Sequence, residues 1–501
     1  MIELKEINPR LYQERIFSTS AKSNTLVVIP TGMGKTMIAM MLAVHRLNKK
    51  PNSKVLFMAP TKPLCAQHMK TFEKHLSVSK DLMCLLTGEI PPKKRRDLWE
   101  TAFFVFATPQ TIANDLVSGN FEFDDFSLVV VDEAHRAVGD YDYVFLAKQY
   151  FKLASNPHLL ALTASPGSDK EKINEICSNL HITAVEIRNE ESEDVVEYVK
   201  KKEIENVFIP LPEALKEVKE MFERVLSRKL NILKENKVIR YADINKVGKG
   251  FLLQLQGKFA SQSAGNWYLM KNISVIASCV KIMHCLELLQ TQGVNSLAIF
   301  LEGLKKQKSK AAISLVTDIE FREGMQRVFE LKSKHYEHPK FEALLKIVEN
   351  QLQNKSDSKM IIFANFRATV EKIVKMLQSL ENCHPIPLIG QAGERGLKQK
   401  DQINVLKNFD SDLNNILVCT SIGEEGLSIS SLDIAIFYEN VPSGIRTIQR
   451  SGRVGRCKVG KIIRLITKDT IDERYYWVAH NKKKKMEELL DDMQQKLLND
   501  Y

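Results

Sequence analysis

The sequence predicts two parallel-sheet α/β domains separated by an all-helical insertion, and three observations carry that expectation. In the first and last thirds, short apolar runs end in polar or glycine-bearing clusters and give way to segments with apolar residues at helical spacing. That alternation is the grammar of a parallel sheet covered by helices. The middle third loses the strand-like runs and keeps the helical spacing. Only the first third carries a glycine loop of phosphate-binding form, Pro30-Thr31-Gly32-Met33-Gly34-Lys35-Thr36. The expected boundaries are 1–188, 189–339 and 340–501.

The glycine loop follows an apolar run over 26–29, read as a buried strand that breaks at Pro30, and precedes a segment at 37–47 whose apolar spacing suits a helix. Strand, glycine loop and helix together are the context that gives a P-loop its mechanism. Gly32 and Gly34 let backbone N–H groups close around phosphate oxygens, and the helix N-terminus adds partial positive charge. Lys35 is expected to reach the terminal phosphates and the Thr36 hydroxyl to ligate Mg²⁺. Ile29 stands where the pattern G-x-x-x-x-G-K-[ST] has its first glycine.

Further strands are expected at 54–59, 83–86, 103–107, 128–131 and 159–162, with a helix at 64–76. Ligands of such sheets bind at the carboxyl ends of strands, where the polar clusters fall. Asp132-Glu133-Ala134-His135 closes one of these strands: Asp132 is placed to hold Mg²⁺ and Glu133 to polarise the attacking water.

In the middle, helices are expected at 213–233, 251–256, 274–290 and 297–308. Lysines cluster at 200–202, 246–249, 258 and 305–308, and either form solvated faces or contact DNA. Trp267 and Tyr268 are either core residues or a stacking platform for bases.

A second sheet is expected from the runs at 360–363, 415–419 and 434–437, with a loop at Gly390 and Gln391 and no P-loop of its own. This domain is therefore expected to complete the first domain's nucleotide site. Gln449-Arg-Ser-Gly-Arg453-Val-Gly-Arg456 supplies the means: the two arginines, three apart, share one side of a helical turn and offer fork-shaped donors to phosphate. A charged helix with lysines at 482–485 is expected to run to 498.

Composition narrows the class. A chain of 501 residues holds about three domains. Lys and Arg number 72 against 61 Asp and Glu, a net charge of +11 that favours a polyanionic partner. The 8 cysteines are scattered without a C-x-x-C pair, which argues for reduced thiols and against a zinc or disulfide framework. With no signal-peptide core and no apolar run of bilayer length, a soluble, cytoplasmic or nucleoid-associated protein without a membrane partner is expected.

Val-Val-Val131-Asp132-Glu133-Ala134-His135, together with Pro30 to Thr36 and Thr163-Ala164-Ser165, resembles the DEAH-type superfamily 2 helicases. The resemblance implies that Arg10 and Gln13 contact adenine, that Gly426 and Gln449 approach the nucleotide, and that His135, Thr163 and Ser165 couple hydrolysis to strand movement. It also assigns strand contacts to Pro60, Thr61, Lys62, Thr87, Gly88, Thr108, Pro109, Gln110, Gly390, Gln391 and Thr420, and arginine-finger chemistry to Arg453 and Arg456. Such contacts to phosphate fix register without reading sequence. Ser428 stands where the family usually has Asp, which weakens the expected ribose and interdomain contacts there.

The size of the insertion, Ala59-Pro-Thr-Lys-Pro-Leu64, the extension from His135 to Phe145 and Leu162-Thr-Ala-Ser-Pro-Gly-Ser168 narrow the resemblance to archaeal Hef and the Fanconi anaemia M translocase. That family implies two RecA-like domains, ATP and Mg²⁺, and a thumb-like insertion that grips branched DNA. The expected function is an ATP-dependent DNA helicase or translocase on forked or branched DNA in fork repair and recombination. An RNA-directed ATPase of the same superfamily and a branched-DNA clamp without turnover are the alternatives. Relatives often continue into a nuclease domain, and no acidic nuclease motif is expected here. The sequence names no protein partner, repair factor or sliding clamp.

Overall fold

The computed structural model describes residues 2–5, 7–198, 203–262, 266–390, 397, 399–420, 432–441, 443 and 460–499. The first domain places β1 (Thr25–Val28), β2 (Lys54–Met58), β3 (Met83–Leu86), β4 (Phe104–Ala107), β5 (Phe126–Asp132), β6 (Leu159–Thr163) and β7 (Ala184–Ile187) in one sheet. Their order is β3-β4-β2-β5-β6-β1-β7, and every pairing is parallel. β1, β2, β4, β5 and β6 are buried at every position, as the continuous apolar runs of a sheet covered on both faces require. Along β1, Leu26 and Val28 join the core on one face of the sheet and Val27 the core on the other.

The helices that cover this sheet are α1 (Leu11–Ser20), α2 (Lys35–Lys49), α3 (Lys62–His75), α4 (Pro92–Thr101), α5 (Pro109–Val117), α6 (Asp142–Leu153) and α7 (Lys170–Asn179). Three of them open on a Pro in the first turn, where the missing N–H has no partner to lose.

β8 (Glu203–Ile209) comes next, followed by a helical bundle of α8 (Glu213–Glu235), α9 (Lys249–Ser261), α10 (Trp267–Thr291), α11 (Val294–Lys305), α12 (Lys310–Val316) and α13 (Ile319–Ser333). Leu215, Val218, Phe222, Val225, Leu226, Leu230 and Leu233 form the apolar stripe of α8 and share one core with α10, α11 and α13. α13 lies so close to α8 that a Cβ on Gly324 would stand 2.9 Å from the Phe222 ring. By length and composition α10 could cross a bilayer, which the reading of apolar runs missed; it is the central helix of this bundle and more than half of its most apolar window is buried.

The second domain holds α14 (Pro339–Asn354), β9 (Met360–Phe363), α15 (Arg367–Leu377), β10 (Pro385–Leu388), α16 (Gln399–Asp410), β11 (Ile416–Cys419), β12 (Ile434–Phe437), β13 (Lys461–Thr467) and α17 (Ile471–Asn499). Its parallel sheet runs β10-β11-β9-β12-β13-β8. The expected insertion span of 189–339 therefore needs correction at its start. β8 pairs with β13 in register from Glu203↔Lys461 to Ile209↔Thr467, so the second sheet begins before the helical bundle. β8 is a half-exposed edge strand whose Glu203 and Glu205 meet Lys461, and its charge hides the strand pattern while guarding the edge.

Buried polar contacts join the bundle to the second domain. The Ile471 N–H donates to Gln290 Oε1 at 2.7 Å, the Thr369 hydroxyl donates to Gln292 Oε1, and His338 Nε2 donates to the Gln290 carbonyl at 3.2 Å. Beneath them, Lys340 Nζ lies 2.6 Å from Asp472 Oδ2 with both side chains fully buried.

Candidate nucleotide and nucleic-acid site

Three adjacent strands deliver the nucleotide site. β1, β6 and β5 are neighbours, and their registers Val28↔Thr163 and Asp132↔Leu162 bring their carboxyl ends level. The loop after β1, Asp132 at the end of β5 and Thr163 at the end of β6 are thus side by side, although the chain separates them widely.

In the loop, Gly32 and Gly34 have φ of 87° and 76°, left-handed values that exclude most side chains. A Cβ on Gly34 would also displace the Gln13 amide that rests against the loop. Ile29 is not among the left-handed residues; it is fully buried, and its N–H donates to the Thr163 carbonyl at 3.2 Å. That is why the missing first glycine leaves the loop intact. Lys35 opens α2 and donates to the Ile29 carbonyl at 3.0 Å, folded over the cradle it closes.

Before the loop, the Tyr12 hydroxyl donates to the Met33 carbonyl at 2.6 Å, and Gln13 Nε2 reaches the same oxygen at 3.3 Å. The Gln13 Oε1 accepts from the Arg10 N–H at 2.9 Å, so Arg10 and Gln13 form the turn that rests on the loop. Pro30 and Thr31 lie in the turn between β1 and Gly32. Tyr12, between Arg10 and Gln13 in the same Arg-x-Tyr-Gln run, supports the loop with a fully buried ring.

Asp132 is buried. Burial alone would raise its pKa, but the hydrogen bond from His68 and the charge of Lys35 outweigh that and hold it below the usual carboxylate range. Glu133 follows in the left-handed region with φ of 50°, a strained conformation for a non-glycine residue just past the end of β5.

The residues expected from the resemblance to couple hydrolysis to movement, His135, Thr163 and Ser165, form a chain of contacts. The Thr163 hydroxyl donates to the Ser165 carbonyl at 3.2 Å and accepts from the Ser165 N–H at 3.1 Å. With that hydrogen committed, His135 Nδ1 is the donor across its 3.2 Å contact with Thr163 Oγ1, and it also lies 3.3 Å from Glu133 Oε2.

The proposed strand-contacting loops follow β2, β4 and β3, three further neighbours in the same sheet. Pro60, Thr61 and Lys62 lead into α3, and the Thr61 hydroxyl is buried without a partner. Lys62 pairs with Glu89 at 2.5 Å, next to Thr87 and Gly88. Thr108 caps α5, its hydroxyl 2.9 Å from that of Thr111, with Pro109 and Gln110 opening the helix. Buried Arg95, unnoticed in the sequence, braces these loops: it grips Asp115 of α5 through two nitrogens and donates to the Thr87 and Ile90 carbonyls.

In the second sheet, Gly390 and Thr420 sit beyond the ends of neighbouring β10 and β11. Arg367 donates to the Gly390 carbonyl at 2.9 Å, and the Thr420 N–H to the Leu388 carbonyl at 3.2 Å. Gln391, Gly426, Ser428, Gln449, Arg453 and Arg456 lie outside the described residues. On the bundle, Trp267 is 72% exposed and stands clear of the core, with the Lys271 ammonium 5.3 Å from its ring.

Residues 10–173 match the DEAD/DEAH box helicase family, 339–458 the helicase conserved C-terminal domain, and 214–335 a helical bundle described for provisionally assigned ATP-dependent RNA helicases. The crystal structure of the Pyrococcus furiosus Hef helicase domain superposes with a TM-score of 0.71 at 40% identity, covering 94% of this chain and 98% of that one. The chain belongs to the Hef and Fanconi anaemia M-type superfamily 2 helicases.

Among curated relatives, a Methanocaldococcus jannaschii protein with the provisional name of an ATP-dependent RNA helicase, MJ1505, is 40% identical over 98% of this chain. The mouse Fanconi anemia group M protein homolog is 30% identical over 95% of it, and the Schizosaccharomyces pombe ATP-dependent DNA helicase fml1 is 32% identical over 92%. The chain spans 62%, 25% and 57% of the lengths of these three relatives. The family's fold is the one described: two RecA-like parallel-sheet domains with a helical bundle between them.

Proposed function

We propose that this chain is an ATP-dependent DNA helicase or translocase acting on forked or branched DNA in replication-fork repair and recombination. The observation that carries the reading is the level alignment of the P-loop, Asp132-Glu133 and Thr163 at the ends of β1, β5 and β6. Lys35 turns from its loop carbonyls to the terminal phosphates of ATP, and Glu133 orients the water that attacks. Arg453 and Arg456 of the second domain complete the site as the cleft closes, and Gly426 and Gln449 approach the nucleotide. Opening after hydrolysis moves one domain along the strand relative to the other.

Mg²⁺ fits the donor set. Thr36 Oγ1 and Asp132 Oδ2 lie within hydrogen-bond reach of the two nitrogens of one imidazole, so a hydroxyl and a carboxylate flank the same ring. No cluster of three His, Cys, Asp or Glu side chains that could hold a metal exists among the described residues. One carboxylate and a hydroxyl suit an ion that keeps most of its shell as water and phosphate oxygen. Thr36 and Asp132 would hold it, and it would neutralise charge on the phosphates.

The name of the fission yeast relative, an ATP-dependent DNA helicase, supports DNA as the track, and exposed Trp267 with Lys271 gives the bundle a stacking surface of the right chemistry. The name of the 40%-identical relative favours a second reading, an RNA-directed ATPase. Measuring ATP hydrolysis with single strands, plain duplex, forked DNA and double-stranded RNA at matched salt separates them. Strongest stimulation by forked DNA is expected; strongest stimulation by RNA would move the chain to the second reading, and no stimulation by any would leave only a clamp.

A further inference from the structure

His68 lies on α3, among helix residues that the nucleotide chemistry does not otherwise use. Its ring is wedged into the metal half of the site, with Nδ1 3.1 Å from Thr36 Oγ1 and Nε2 3.0 Å from Asp132 Oδ2. The residue is buried, and Phe57 of β2 lies against its ring, centroids 4.3 Å apart at a tilt of 32°. One imidazole therefore touches a side chain at the start of α2 and another at the end of β5.

The chemistry of the partners fixes how the ring is used. An ionised carboxylate only accepts, so Nε2 carries a hydrogen and donates it to Asp132. In the neutral ring Nδ1 then has a lone pair, and the Thr36 hydroxyl donates to it. A hydroxyl that commits its hydrogen to His68 keeps its lone pairs for a cation. A carboxylate held at Oδ2 keeps Oδ1 for the same purpose. Both ring nitrogens are occupied, so the imidazole orients the ligands without being one.

We propose that His68 is the positioning residue for Mg²⁺ in this site, orienting the Thr36 hydroxyl and the Asp132 carboxylate from the two nitrogens of one ring. The proposal rests on the reading that Thr36 and Asp132 hold the ion. Outer partners of this kind contribute roughly 10–100-fold to metal affinity.

The test is equilibrium binding of a fluorescent ADP to the full chain, followed by anisotropy while Mg²⁺ is titrated, so that no turnover is involved. His68→Ala is expected to raise the Mg²⁺ concentration at half-effect by roughly 10–100-fold. Affinity for the nucleotide without metal should stay unchanged, which also shows that the variant is folded. His68→Gln, whose amide offers one donor and one acceptor, should recover most of the loss. An unchanged Mg²⁺ requirement in His68→Ala would overturn the proposal, and so would a lowered one, which would mean that the ring obstructs the site. Equal loss of metal-free binding in both variants would reduce His68 to packing and overturn it too. If Mg²⁺ does not affect ADP binding to the unsubstituted chain, the failure belongs to the reading of Thr36 and Asp132, and the proposal falls with it.

Discussion

The Ser165 hydroxyl donates to the Met486 sulfur across 2.8 Å, joining segments 321 residues apart in sequence. Ser165 follows Thr163, which touches His135 and through it Glu133, so the C-terminal helix of the second domain ends a chain of contacts that begins at the proposed water-orienting carboxylate. Met486 and Leu490 of α17 are buried within the core of the first domain. Met486→Leu, which keeps volume and loses the acceptor, should cost less than about 1.5 kcal/mol. Met486→Ala leaves a void in that core and should cost about 2–4 kcal/mol in denaturant unfolding. The same variant should speed amide exchange along the second half of α17, and protection equal to that of the unsubstituted chain would refute the anchoring role.

The Lys340–Asp472 pair is a fully buried ion pair in the second domain. Lys340 Nζ also donates to the Tyr438 carbonyl at 2.8 Å, while Asp472 accepts from the N–H groups of Thr467 and Asn440. Removing one partner strands a buried charge, so Lys340→Met should destabilise this domain by about 3–5 kcal/mol. Chemical denaturation followed by a probe in that domain checks the value.

His338 predicts an acid-labile junction between bundle and second domain. Burial, with the nearby charges of Lys340 and Lys372, pushes its pKa down to about 3 from an ordinary 6.5, so the folded state holds the ring neutral. The unfolded chain binds a proton between those two values and the folded one does not, so stability from this group is full above 6.5 and is lost as pH falls below it. Between pH 7 and pH 5 the loss should be about 2 kcal/mol. Carboxylates enter mainly below that window. Urea midpoints of His338→Gln should show a correspondingly flatter dependence over the same range.

Glu133→Gln keeps the shape of the strained turn and removes its charge. ATP turnover should fall by about 10²–10⁴-fold, while fluorescent-nucleotide binding stays within about twofold of the unsubstituted chain. Turnover near the original rate would assign the water-orienting role elsewhere.

Much of this architecture was legible because the two sheets are parallel and doubly covered. The run Met83–Leu86 reads directly as a strand when no exposed face interrupts it. Helix starts were misplaced by capping: α3 begins at Lys62, before the expected 64, because Thr61 and Pro63 form its first turn. α10 begins at Trp267, before the expected 274, because a helix apolar around most of its girth has no stripe to mark its start. The first half of β8 was hidden by the alternating charge of an edge strand, while its end at 207–209 reads as a strand-like run. Lys35, Thr36, Asp132 and Glu133 announced themselves as local motifs. His68 and Arg95 did not, because each acts through partners that only the folded sheet brings near.

The most direct test of the account is separation of a labelled forked DNA duplex by the purified chain with ATP and Mg²⁺, alongside Lys35→Ala. The account predicts ATP-dependent separation or branch movement by the unsubstituted chain, and fork binding without either by Lys35→Ala. Equal separation by both proteins, or a fork that is bound and never moved in the presence of ATP, would contradict it.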